Sequence, residues 1–395
     1  MTDVVLVVNT GSSSIKVATY ALVDPEEPLW KGEIDGIGRT PTYESRSGKA
    51  PGPQQAVPSE FARGHRSLIH WLLERLRQEQ PTLKVAAAGH RVVHGGRRFS
   101  APALVTETVL EELHGLSALA PSHQPHNLAG IQAVADTWPE IPQVACFDTA
   151  FHRSQPRVAQ LFALPRWLSD EGVLRYGFHG LSYEYIASVL PDYLGTRAEG
   201  RIVVAHLGHG ASLCALRDRH SIATSMGFTA LDGLVMGKRC GALDPGVVLH
   251  LLRDRGMSMQ QVDALLSHES GLLGVSGISD DMRDLLESDD PHAREAIELF
   301  VYRALSQLGA LVAQLGGLDG LVFTAGIGEH SPEIRRRLVA GLAWLGASLD
   351  PAANAAGASC ISSPTSALPV HVIATDEEGV IARHTCRLTQ AMTLS

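Results

Sequence analysis

The chain has few cysteines: five in 395 residues, at 146, 214, 240, 360 and 386, with no CxxC pair among them. An odd count without paired spacing excludes a disulfide framework and a zinc knuckle, and it is the usage expected in a reducing compartment. Basic charge is scarce too, since 33 Lys and Arg against 42 Asp and Glu leave a formal net charge of −9. Nucleic-acid backbones are gripped by basic surfaces, so no nucleic-acid partner is expected, and an anionic substrate has to be held by locally placed cations. No apolar stretch is read as reaching the roughly 18 residues that a membrane-spanning helix needs. The opening MTDVVLVV has no basic residues ahead of its apolar run and reads as structure, not as a signal peptide. A cytoplasmic protein without membrane contact is the expectation.

What is present is one motif written twice, VLVVNTGSSSIKVATY at 5–20 and IVVAHLGHGASLCALR at 202–217. Each copy is an apolar strand, a tight Gly/Ser-rich turn and a second alternating strand, which is how a β-hairpin that approaches a ligand closely reads in sequence. Gly11 and Gly208 stand about half a chain apart, and 395 residues exceed what one core usually fills. Two similar halves, each offering backbone N–H groups at a hairpin tip, point to a duplicated fold that holds one anionic ligand from two sides. A nucleotide polyphosphate is the obvious candidate.

Strand-like and helical runs alternate, which favours an α/β architecture. Residues 36–59 read as loops or short edge strands. Leu68, Ile69, Leu72, Leu73 and Leu76 recur at helical spacing ahead of Pro81, and Phe300, Ala304, Leu308, Leu311 and Leu315 form an apolar stripe ending at Gly316-Gly317. Helices are expected over 106–120 and 127–138, and buried strands at 85–89, 144–147 and 320–324. In AGIGEHSPEIRRRL, Ser331 can cap a helix that begins at Pro332, leaving a glycine turn at a helix mouth suited to a phosphate or a nucleoside.

These strings, with GHRVVHGG at 89–96, FDTAFH at 147–152, YGFHGLS at 176–182, SMGFTALDGLVMGKR at 225–239 and ATDEE at 374–378, resemble the acetate and butyrate kinase family of the sugar kinase, Hsp70 and actin superfamily. The resemblance runs from about residue 4 to about residue 390. It implies an α/β fold of two duplicated RNase H-like (actin-like ATPase) domains with an interdomain active-site cleft. The first domain would be 1–148 plus 380–395, with the return of the C-terminal segment taken from the family, and the second 149–379. It also implies in-line transfer of the ATP γ-phosphoryl group to a short carboxylic acid, giving an acyl phosphate and ADP. Mg2+ or Mn2+ would assist, in a homodimer.

A carboxylate acceptor is ionised at neutral pH and needs no general base, so the difficulty is bringing one anion up to another. Positioning and charge neutralisation then carry the reaction. Arg91 and Arg239, each beside glycine-rich backbone, are the natural forks for carboxylate and phosphoryl groups. Asp148 closes an apolar strand and, by family match, is the catalytic aspartate; with an ionised acceptor its expected work is orienting an arginine or the hydrated metal. His179 matches the histidine that donates to the phosphoryl group in the transition state, with His123 a second candidate for the same pocket. Asn9 and Glu377 match the metal-associated positions. Ser12, Ser14 and Lys16 follow in the first turn, and His206, Leu207, Gly208, His209 and Gly210 make the second. Asp281, Met282 and Arg283, with Gly326, Ile327, Gly328, Glu329 and His330, would enclose the adenosine. Val93, Ser122, Phe178 and Ala230 match the acyl pocket.

Some positions depart from the family pattern. His209 and His330 replace amides, which can alter nucleotide affinity and its pH dependence. Ser122 and Ala230 stand where leucine and proline are common, so the pocket is expected to be roomier and propionate to compete with acetate. Arg97 replaces an acidic residue and is expected to press on Arg91. Two other classes share the phosphate hairpins: a hydroxyl (sugar) kinase, in which Asp148 would be an essential base, and an actin-like or Hsp70-like clamp, which needs no Arg91–Arg239 pair. The SxxK run at 13–16 lacks a KTG partner, 233–239 departs from P-loop spacing, and His90 and His94 flank an arginine and a β-like Val-Val and read as structural.

Overall fold

A computed structural model describes residues 1–11, 14–48, 52–62, 64–121 and 123–393, so Ser12 and Ser122 lie outside the described residues. The chain forms two compact units, Met1–Phe151 with Asp376–Ser395, and His152–Thr375.

The first unit is built on eight strands: β1 (Thr2–Thr10), β2 (Ser14–Ala21), β3 (Pro28–Asp35), β4 (Thr42–Arg46), β5 (Gln55–Ala56), β6 (Leu83–Val92), β7 (Ala103–Leu104) and β8 (Gln143–Phe147), in the order β5-β4-β3-β2-β1-β6-β8-β7. The second has β9 (Ile202–Leu207), β10 (Ala211–Arg217), β11 (His220–Thr224), β12 (Gly320–Thr324) and β13 (Val370–Val372), in the order β11-β10-β9-β12-β13. Within the first sheet β3-β2-β1 is antiparallel and β1-β6-β8 parallel; in the second β11-β10-β9 is antiparallel and β9-β12-β13 parallel. The same five-strand plan thus occurs twice, and each repeated sequence motif is the antiparallel hairpin at its centre. Gly11 N donates to Ser14 O at 2.8 Å to close the first turn, and Gly208 N to Gly210 O at 3.0 Å to close the second.

Helices cover the sheets with the residues their spacing selects. On the helix His65–Glu79 the buried positions are Leu68, Ile69, Leu72, Leu73 and Leu76, packed with Trp30, Ile34 and Tyr43. Thr106 caps Glu107–Gly115, which tightens into a 3₁₀ turn, Leu116–Leu119. The C-terminal helix Glu377–Thr393 lies against β6 so closely that a Cβ on Gly89 would come within 2.6 Å of the Ile381 side chain. That contact needs glycine, and the helix lies wholly within the first unit.

Two expectations are corrected. The helix Pro291–Leu315 is long and apolar enough, by length and composition, to cross a membrane. Its Ala296, Ile297, Phe300, Ala304, Leu308 and Leu311 are instead buried within the second unit. Residues 325–330, expected as a glycine turn, form a short helix, Ala325–His330, because Glu329 folds back and its Oε1 accepts from Ala325 N at 2.7 Å. Ser331 does cap the following helix, Pro332–Ala340.

Candidate functional site

In the first unit three parallel strands bring their carboxyl ends to one edge, where side chains leaving the sheet can converge. Asn9 lies near the end of β1, Arg91 near the end of β6, and Asp148 directly after β8; Asp148 N donates to Val92 O at 3.1 Å. Arg91 Nε donates to Asp148 Oδ1 at 3.1 Å, Nη2 to Oδ2 at 2.5 Å, and Nη1 to Asn9 Oδ1 at 3.3 Å. Glu377, at the first position of the C-terminal helix, places Oε2 4.0 Å from Arg91 Nε. Burial opposes the Arg91 charge, yet Asp148 and Glu377 hold the guanidinium above its ordinary value. Burial raises Glu377 above the usual carboxylate range, against the pull of Arg91 and Lys16. Arg97, expected to press on Arg91, is an exposed residue.

The donors near Arg91 bear on a metal. The Asn9 amide and Glu377 carboxylate are hard oxygen donors, the kind magnesium takes. Among the described residues no group of three or more His, Cys, Asp or Glu is arranged to hold an ion. An ion here would therefore draw most of its ligands from water and substrate, which is how magnesium is commonly bound beside phosphates. The residues fit that role.

Lys16 lies on β2. It stands opposite Asn9 across β1 and β2, but its Nζ is paired with Glu33 on β3 at 2.8 Å. Burial lowers its affinity for the proton, and Glu33, Glu378 and Asp35 more than compensate, so Lys16 is held above its ordinary value. Val93 is buried with its N–H donating to Asn127 Oδ1 at 2.9 Å, and His123 is the N-terminal flanking residue of the helix Gln124–Thr137.

The second unit gathers Arg239 and His179 about the second hairpin turn. A Cβ on Gly210 would lie 2.7 Å from Arg239 Nη2 and 3.3 Å from His179 Nε2, so only glycine leaves the space that these two side chains flank. Arg239 Nη1 donates to Ala230 O at 2.6 Å, and the carbonyl of buried Phe178 lies 2.9 Å from His152 Nε2. His179 precedes the helix Gly180–Leu194 in a left-handed conformation, φ 59°, uncommon for a non-glycine residue. Its ring stacks on His206 with centroids 4.2 Å apart. Leu207 is buried in β9.

Beside the same turn lies a cavity of about 680 Å³ lined by Gly208, His209, Asp280, Asp281, Met282, Arg283, Leu286, Glu287, Gly326, Ile327, His330, Ser331, Pro332 and Glu333. Its size and mixed lining suit a drug-sized ligand. His209 Nε2 donates to Asp280 Oδ2 at 2.8 Å, with Lys238 Nζ 3.4 Å from the same oxygen. Burial would raise Asp280, but His209 and Lys238 outweigh it and hold the carboxyl below its usual range. Gly328 and Glu329 do not line the cavity: Gly328 is buried, and the Glu329 carboxylate accepts from the Ala325 and Thr375 amides.

Sequence reasoning missed Asp280 and Arg335. Arg335 is fully buried; its guanidinium donates to Gly328 O at 2.9 Å, Glu329 O at 2.7 Å, Asn354 Oδ1 at 2.8 Å and Asn354 O at 2.7 Å. It therefore ties down the carboxyl end of the helix that lines the cavity. The available signal was its place beside Ile334, one turn before Leu338 and Val339, on an otherwise apolar helix face.

Comparison with known proteins identifies the family. The family model described as the acetokinase family matches residues 4–383. A curated acetate kinase from Rhodopseudomonas palustris is 54% identical over 394 residues, covering 98% of this chain and 99% of that protein, and one from Rhizobium meliloti is 50% identical over 392 residues, covering 98% and 99%. Among solved structures, a propionate kinase from Francisella tularensis superposes with a TM-score of 0.90 at 35% identity, covering 98% of this chain and 99% of that one. An acetate kinase from Porphyromonas gingivalis gives 0.87 at 32%, covering 98% and 100%. With the match running nearly end to end and the two arginines set in the motifs it spans, this chain belongs to the acetokinase family.

Proposed function

We propose that this protein reversibly transfers the γ-phosphoryl group of ATP to the carboxylate of acetate, giving acetyl phosphate and ADP. The observation that carries this reading is the buried bidentate pairing of Arg91 with Asp148. Both Asp148 oxygens are occupied by the guanidinium, so the aspartate orients Arg91, and an ionised acceptor asks for no base. Arg91 would meet the acetate carboxylate and the phosphoryl group, while Arg239 and His179 would donate to the phosphoryl oxygens beside Gly210. Charge that develops on those oxygens is thereby met by donors already in place, which is where most of the rate of phosphoryl transfer arises. Asn9 and Glu377 would hold magnesium, or manganese in its place, whose chemistry there is to neutralise phosphate charge. The nucleoside would occupy the cavity between Met282 and Ile327, with His209 and His330 at its rim.

Propionate is the competing acceptor, supported by Ala230 and by the likeness to a propionate kinase. One methylene in an apolar pocket changes discrimination by about 1–3 kcal/mol, so neither acid is excluded. The test is ATP formation from ADP with acetyl phosphate and with propionyl phosphate. Comparable kcat/KM values support the roomier pocket; a preference for acetyl phosphate beyond about 200-fold overturns it. A cytoplasmic location is proposed as well, supported by five cysteines without paired spacing, the usage expected in a reducing compartment. Neither nucleic acid nor membrane is assigned as a partner. A homodimer is proposed as well, and the helix Pro245–Arg253, apolar yet with no buried residue, is the kind of surface an interface covers.

A further inference from the structure

We propose that Ser212, held by Tyr183, is a positioning residue that fixes the tautomer of His179, so that the neutral imidazole carries its proton on Nε2 and presents a donor beside Gly210. The inference rests on the reading of His179 as the phosphoryl-facing donor and adds what makes it one.

The argument is an accounting of buried protons. Ser212 and Tyr183 are both fully buried. Tyr183 Oη lies 2.5 Å from Ser212 Oγ, and Ser212 Oγ lies 2.9 Å from His179 Nδ1. Burial pushes the Tyr183 phenol well up, so it keeps its proton and must donate it. Its hydrogen-bond partner is Ser212 Oγ. With Tyr183 donating to Ser212, the serine proton has His179 Nδ1 as its acceptor, and Nδ1 must then be unprotonated. The reverse order, Nδ1–H to Ser212 and Ser212 to Tyr183, leaves the phenol proton buried without an acceptor among the described residues. A proton on Nδ1 with Tyr183 still donating strands the serine proton instead. Stranding a buried donor is costly, so the order that satisfies every proton prevails.

The fold supplies this geometry from three places. Tyr183 is one turn along the helix from His179, and Tyr183 N donates to His179 O at 3.1 Å. Ser212 comes from β10, immediately after the second hairpin turn. The left-handed backbone at His179 turns the ring so that Nδ1 faces Ser212 while Nε2 faces the space over Gly210, where Arg239 also points. A parallel arrangement stands beside it: Thr375 Oγ1 donates to Ser182 Oγ at 2.9 Å, and Ser182 Oγ lies 2.8 Å from Nδ1 of His206, the ring stacked on His179. Each imidazole of the stack thus has a serine hydroxyl at Nδ1, itself backed by a second hydroxyl.

The test combines a spectrum with kinetics. Nitrogen-15 NMR of the imidazoles in the wild-type enzyme near neutral pH, with His179 assigned by comparison with His179→Gln, should show Nε2 protonated and Nδ1 bare and accepting. A protonated Nδ1 overturns the proposal without any variant needing to fold. Ser212→Ala should lower kcat by about tenfold with both KM values within about twofold, and Ser212→Thr, which restores a hydroxyl, should recover most of the loss. Loss of kcat in the threonine variant as deep as in the alanine variant would count against the hydroxyl. Full activity in His179→Ala, which has no side-chain donor, would instead remove the phosphoryl-donor reading of His179, a failure the spectrum distinguishes from failure of the tautomer assignment.

Discussion

Asp148 and Gly210 act on the site in opposite ways, one by what it holds and the other by what it leaves empty. Asp148→Asn keeps an acceptor for one Arg91 donor and loses the second, so kcat should fall by roughly 100-fold through misplacement of the guanidinium. No limb for proton abstraction should appear in the pH–rate profile of the wild type, because the acceptor is already ionised; kcat measured across neutral and alkaline pH checks both. Gly210→Ala puts a methyl 2.7 Å from Arg239 Nη2 and 3.3 Å from His179 Nε2. Its backbone is not in the left-handed region, so the protein should fold and melt nearly as the wild type while kcat drops by about 100-fold. Arg91, Asp148 and Arg239 are nominated by the sequence because each sits in a motif that states its surroundings, and the kinetics of these variants test the roles proposed for them. The pairing of Lys16 with Glu33 was not legible, because Glu33 lies on the next strand and only the cross-strand register brings the two together.

Helix Ala325–His330 shows what an element needs beyond its own residues. Its glycines suggested a turn, and the chain instead makes a short helix secured at the start by Glu329 and at the end by Arg335. Arg335→Lys keeps the charge but cannot reach four acceptors, leaving buried carbonyls unpaired. The expected outcome is a rise of about tenfold in the KM for ATP, with the KM for acetate changed less than threefold, read from steady-state kinetics. A uniform loss in kcat with unchanged KM for ATP would mean that this helix does not shape the nucleotide site. The hairpins, in contrast, were readable at once, since apolar alternation on either side of a glycine turn leaves little other choice. The long helix Pro291–Leu315 is legible from its stripe, because the positions the stripe selects, among them Phe300, Ala304, Leu308 and Leu311, are the ones the core buries.

At the scale of the whole molecule, duplication of the five-strand plan was foreseeable from two copies of one motif, whereas the edge strands added to the first sheet were only loosely indicated. Among the buried histidines of the two units, His90 in the first and His152 in the second are both pushed down to about 4 by burial. Unfolding returns each to about 6.5, so the unfolded chain binds more protons between these values and stability is lost as pH falls from about 6.5 towards 4. Each contributes on the order of 3 kcal/mol to that loss at the acid end. The thermal midpoint should therefore decline between about pH 7 and pH 5, and more gently in His90→Gln; a midpoint flat over that range would contradict the assignment. The central claim, that the acceptor is a carboxylate, is tested most directly by incubating the purified protein with Mg-ATP, hydroxylamine and either acetate, propionate or a panel of sugars. The expected result is acyl hydroxamate from acetate and propionate and no ATP consumption dependent on sugar; ATP consumed with sugar and no hydroxamate from either acid would contradict it.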